Sequence, residues 1–155
     1  MKNIKYIVVH CTATPPNASP KDVKNNWRQK QAHHILQANP YVIKRDGEIV
    51  RFYHTGKQEL IENSAIPPIY ECLHIAYIGG IDREGNPADN KTQRQEDALF
   101  DKLVELSDKY PDSKIIGNDE FTGVKTTSPC FDVKAWLANY KPDFLELDYE
   151  TEMAA

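Results

Sequence analysis

The side chains best able to do chemistry in this sequence are its histidines and cysteines. His10 and Cys11 end the apolar run that begins at Ile4. Imidazole and thiolate are the donors that zinc prefers. Neighbours on a strand point to opposite faces, however, so the two do not serve one site and Cys11 reads as core. His33 and His34 look like a metal pair, yet adjacent helical residues share no face, and they read as surface. His54 follows a hairpin and His74 lies within a strand, and neither has ligand spacing. Cys11, Cys72 and Cys130 make an odd number without a Cys-x-x-Cys pair, which fits a reduced compartment better than a disulfide framework. Neither a Cys-His-Asp nor a Ser-His-Asp arrangement suggests a protease. Trp27, Tyr53 and Tyr70 offer rings on which sugars stack, but core packing accounts for such residues more simply.

The elements that must position these groups are legible in pattern. Ile4 to His10 is short and β-branched, a buried strand. Ser19-Pro20 starts a helix, with Val23, Trp27, Ala32, Ile35 and Leu36 along its stripe. Two β-rich runs between Tyr41 and Tyr53 flank Asp46-Gly47, a hairpin turn. Leu73 to Gly80 is a second buried strand. Thr92-Gln-Arg-Gln95 is a capping box, and Leu99, Leu103, Leu106 and Tyr110 line one helical face that Pro111 terminates. Lys114 to Gly117 is a short strand, and Asp132 caps a last helix through Trp136 and Tyr140. The order β-α-β-β-β-α-β-α predicts a single α/β domain with one mixed central sheet of about five strands, flanked by helices. Residues 1–141 form the domain, and 142–155 are an acidic tail.

A net charge of −4 argues against a nucleic-acid partner, because the densest basic cluster, Lys21, Lys24, Arg28 and Lys30, reads as the solvated face of a helix. No stretch reaches membrane-spanning length, and the N-terminus has no apolar export signal, so the expectation is a cytoplasmic chain with no membrane partner.

Ile4-Lys-Tyr-Ile-Val-Val-His-Cys-Thr-Ala-Thr14, the Asp46-Gly47 hairpin, Tyr77-Ile-Gly-Gly-Ile-Asp82 and Phe131-Asp-Val-Lys-Ala-Trp136 occur in this order. Together they resemble the zinc-dependent N-acetylmuramoyl-L-alanine amidases of the phage-lysozyme and peptidoglycan-recognition type, over roughly residues 3 to 140, a typical single-domain size. The resemblance implies the amidase fold and a zinc held by two histidines and a cysteine. That zinc polarises the carbonyl between muramic acid and L-alanine and activates a water, assisted by a tyrosine and often a lysine.

This sequence supplies few of those groups. His10 matches the first ligand. The second lies in Gly-His-Arg/His-Asp/Glu, which here reads Gly117-Asn118-Asp119-Glu120, so its position holds Asn118. The third lies in Ala-Cys-Pro-Ser-Phe-Asp, which here reads Thr127-Ser128-Pro129-Cys130-Phe131-Asp132, so its position holds Ser128. Asn39 stands at the tyrosine position, and Lys125 lies near the lysine position. The family's His-Asn-x-x-Ser-Ile-Gly reads Pro68-Ile-Tyr-Glu-Cys-Leu-His74 here. Amide and hydroxyl oxygens are poor zinc ligands beside imidazole and thiolate. The expectation is therefore a homologue without a cofactor, in which His10 is a former ligand hydrogen-bonded in a polar cleft, and which binds a peptidoglycan fragment or a protein without cutting. Two alternatives stand beside it. One is an active amidase with a rearranged zinc site built from His10, Cys130 and Asp119 or Glu120. The other is a regulatory or structural protein of phage or mobile-element origin, delivered by another route, that uses the fold as a scaffold.

The tail yields a first test. Truncation after Lys141 is expected to leave the protein soluble and its urea midpoint unchanged, because an acidic segment beyond Pro142 has little core to share. A clear drop in the midpoint would mean that Phe144, Leu145, Leu147 and Tyr149 pack on the domain.

Overall fold

The computed structural model describes residues 3–29, 33–53, 71–121 and 126–140. His54, Tyr70, Lys125 and the acidic tail lie outside the described residues, as do the side chains of His33 and His34. Strand β1 (Tyr6–Cys11) leads to helices α1 (Pro20–Gln29) and α2 (His33–Gln37), the hairpin β2 (Tyr41–Ile43) and β3 (Ile49–Arg51), and β4 (Cys72–Tyr77). Helix α3 (Gln93–Lys109), strand β5 (Lys114–Gly117), a short 3-10 turn (Asn118–Glu120) and α4 (Val133–Asn139) follow. The five strands form one sheet in the order β3-β2-β4-β1-β5. Only the β2–β3 pair is antiparallel; β1 pairs in parallel with β4 and with β5, and β2 with β4. This is the mixed α/β sheet that the element order predicts.

Helices cover both faces, so the central strands are apolar throughout rather than alternating. On one side Ile7, Val9, Cys11, Leu73, Ile75 and Tyr77 pack against Leu99, Leu103 and Leu106 of α3 and Val133 of α4. On the other, Val42, Ala76 and Ile78 pack against Val23 and Trp27 of α1 and Ile35 of α2. Ser19 caps α1, its hydroxyl accepting from the Asp22 N–H. The capping box at α3 forms as its sequence predicts. Asp132 accepts from the Ala135 N–H at the start of α4.

Gln95 does more than cap. Fully buried, it donates from Nε2 to the carbonyls of Ile43 and Ile78, 3.1 Å each, while its Oε1 accepts from the Thr92 N–H and from Arg45. It thus ties the start of α3 to β2 and to the residue after β4. Gln95→Ala leaves buried carbonyls short of a donor and opens a cavity, so urea denaturation is expected to show a loss of about 2–4 kcal/mol. A loss under about 0.5 kcal/mol would mean that the capping box is all the residue contributes.

Candidate functional site

The site is set by register. In β1 and β4, Val8 is level with His74 and His10 with Ala76. Val8, His10, His74 and Ala76 therefore share one face, that of α1 and α2, and Cys11 faces α3, as the alternation of a strand requires. In β5, Gly117 is level with Val9 and ends the strand, and Asn118 opens the 3-10 turn that follows. Two polar side chains meet on the shared face, His10 and His74, each 1% exposed, and Asn118, the residue after β5, is also buried at 8%.

His10 Nε2 and His74 Nδ1 lie 2.7 Å apart, with the rings tilted by 35°. One nitrogen donates a proton to the other, so each ring fixes the other's orientation. His74 stands at the glycine of the resembled motif, and here its imidazole is buried against His10. Sequence reading placed His74 in a strand and saw no ligand spacing. Its signal was available in the glycine replacement, but the contact needs the parallel register, which local pattern does not carry.

The other positions have taken structural roles. Ser128 Oγ accepts from the Cys11 N–H at 3.0 Å, and its carbonyl accepts from the Asp119 N–H, so it joins the end of β1 to the 3-10 turn. Asn118 Oδ1 is buried with no hydrogen-bond partner among the described residues. Asn39 takes a φ of 52°, the left-handed conformation that asparagine tolerates, and its N–H bonds the Leu36 carbonyl, so it terminates α2. Glu120 accepts from the Gly117 N–H and pairs with Lys134 at 3.2 Å. Asp119 has its carboxyl raised above the ordinary range by burial, and Glu120 and Asp132 add to the shift. Cys130, at φ 71°, packs on the α3-side core, with Sγ 3.7 Å from the Gly80 carbonyl. Burial pushes the Cys11 thiol up to about 11. Of the aromatic candidates, Trp27 is core and donates from Nε1 to the Thr12 carbonyl. Tyr53 departs from the core expectation: two residues past the end of β3, it is 70% exposed, with Arg51 against its ring.

Zinc requires several nitrogen, sulfur or carboxylate donors converging on one point. His10, Asn118 and Ser128 supply one imidazole, an amide and a hydroxyl that already accepts a backbone proton. Among the described residues, no three His, Cys, Asp or Glu side chains are grouped to hold a metal ion. This donor set does not fit zinc.

Restoring the family's residue tests the imidazole pair. His74→Gly removes a buried ring and its hydrogen bond, and unfolding by urea is expected to show a loss of roughly 2–4 kcal/mol. Unchanged or increased stability would mean that the pair contributes nothing to the fold.

Known proteins share this fold and its sequence pattern. The family model for N-acetylmuramoyl-L-alanine amidase matches residues 1–130. The endolysin of Enterobacteria phage T3 is 29% identical over 133 residues, covering 84% of this chain and 83% of the relative. Among solved structures, the Ph2119 endolysin from a Thermus scotoductus bacteriophage superposes with a TM-score of 0.62 at 24% identity, covering 89% of this chain and 84% of that one. Bumblebee PGRP-SA superposes at 0.54 with 15% identity, covering 90% and 83%. With 130 of 155 residues matched, the chain belongs to the N-acetylmuramoyl-L-alanine amidase family.

Proposed function

We propose that this protein uses the amidase scaffold to bind peptidoglycan fragments without hydrolysing the bond between muramic acid and L-alanine. The observation that carries the reading is the use of Ser128: at the position of the family's thiolate, a hydroxyl is bonded to the Cys11 N–H. Asn118 in place of an imidazole and Asn39 in place of the assisting tyrosine support it. Without a metal there is no Lewis acid for the developing oxyanion and no activated water, and such effects supply much of the barrier lowering in this kind of reaction. What remains is the family's fold around a buried pair of imidazoles, His10 and His74. Losing transition-state stabilisation does not by itself remove ground-state binding of a muropeptide. Phage endolysins among its relatives connect the fold to cell-wall chemistry.

The test is co-sedimentation of the wild-type protein with purified peptidoglycan, alongside an assay for newly freed L-alanine amino groups. Retention on the polymer with no amine release above background is the expected result. Release abolished by a chelator would replace this reading with an active, metal-dependent amidase. Neither retention nor release, with a stable protein complex instead, would favour a scaffold role.

A further inference from the structure

The exchange of serine and cysteine in Ser128-Pro129-Cys130 has a consequence on the opposite face of β1. It brings a second thiol to Cys11. Gly80, at φ 99°, lies against that residue so closely that a Cβ on it would fall 2.5 Å from the Cys11 Sγ. Cys130 Sγ approaches the carbonyl of the same glycine at 3.7 Å. Both cysteines therefore lie against Gly80, Cys11 through its side chain and Cys130 through its sulfur. Two further bonds hold the loop in place: Ser128 Oγ accepts from the Cys11 N–H, and the Pro129 carbonyl accepts from Tyr77 at 2.6 Å, Tyr77 being level with Cys11 in the sheet. Lys91, stacked 3.6 Å from the centre of the Phe131 ring, clamps the far side.

The two thiols differ in access. Cys11 is buried, whereas Cys130 is half-buried and lines an open cavity of about 590 Å³, with Thr126, Thr127 and Phe131 among its walls. Cys72, the third cysteine, is buried in β4 at the other end of the strands, level with Tyr6.

We propose that Cys11 and Cys130 are a redox pair, which closes to a disulfide on reaction with a peroxide and pins the segment Thr126–Phe131 to β1. The Cys130 thiolate attacks one peroxide oxygen, the O–O bond breaks, and the departing oxygen takes up protons to leave as water; Cys130 becomes a sulfenic acid. The Cys11 sulfur then attacks the Cys130 sulfur. The S–O bond breaks, and the hydroxyl leaves as a second water with the Cys11 proton. The thiols together lose two hydrogens, and the peroxide accepts the corresponding two electrons. The proposal stands whether or not the cleft binds peptidoglycan, since it concerns the other face of β1.

Hydrogen peroxide treatment of the full chain, followed by denaturation and alkylation, is the test. Two of the three thiols are expected to become unreactive, with the protein lighter by two hydrogen atoms and one peptide pair joined through Cys11 and Cys130. Dithiothreitol should restore all three thiols, Cys72→Ser should still form the bridge, and Cys130→Ser and Cys11→Ala should both abolish it. The proposal is overturned if Cys130 gains oxygen while Cys11 remains open to alkylation, or if the bridge involves Cys72.

Discussion

Strand β1 is hydrogen-bonded in parallel on both sides, to β4 and to β5, and the site follows from that double pairing. Parallel pairing has a side-chain period of two, so a slip of one residue would turn His10 into the α3 core and bring Cys11 to the cleft. The slip is resisted by burial: Ile7, Val8 and Val9 have no exposed surface, and both faces of the strand are covered. Once β1 is fixed, His74 and Asn118 have no freedom to be elsewhere. The sheet thus aims side chains at one point regardless of what those side chains are.

That separation of aim from chemistry explains how the amidase scaffold persists around an altered centre. Metal binding is sensitive to donor type, whereas the fold is sensitive to apolar volume and register. Ser128 and Asn39 have been absorbed into the backbone network, one bonded to the end of β1 and the other ending α2. His74 adds a ring where the family has glycine and holds His10 through a 2.7 Å hydrogen bond. Ser128 thus supports the folded chain at a position that the resemblance assigns to a metal ligand. The loop that carries Ser128 is held at several points, by Tyr77 on Pro129, by Lys91 on Phe131 and by the Asp132 cap, so its path survives the exchange of serine and cysteine.

Features encoded by neighbouring residues were legible in the sequence. The Thr92–Gln95 capping box, the Asp132 cap, the Ser19-Pro20 helix start and the Asp46-Gly47 turn depend on contacts within a few residues, and each forms as read. The opposite orientations of His10 and Cys11 followed from strand alternation alone. Features that depend on which strands pair were not legible. Nothing local indicates that His74 reaches His10 across 64 residues, or that Gln95 serves the carbonyls of Ile43 and Ile78 as well as its own helix end. Tyr53 reads as core by type, yet it lies just past the end of an edge strand, and its burial is decided by strand length rather than composition. The three family ligand positions were read from motif order, and the register of β1 with β5 ends at Val9 and Gly117, one residue short of His10 and Asn118.

The central claim is that the scaffold aims correctly while its donors do not suit zinc, and elemental analysis tests it most directly. Wild-type protein and the double variant Asn118→His, Ser128→Cys would be equilibrated with zinc, dialysed and measured for bound metal per chain. The account predicts no stoichiometric zinc on the wild type and stoichiometric zinc on the double variant, lost again when His10 is changed to alanine. Stoichiometric zinc on the wild type that disappears with His10→Ala would contradict it.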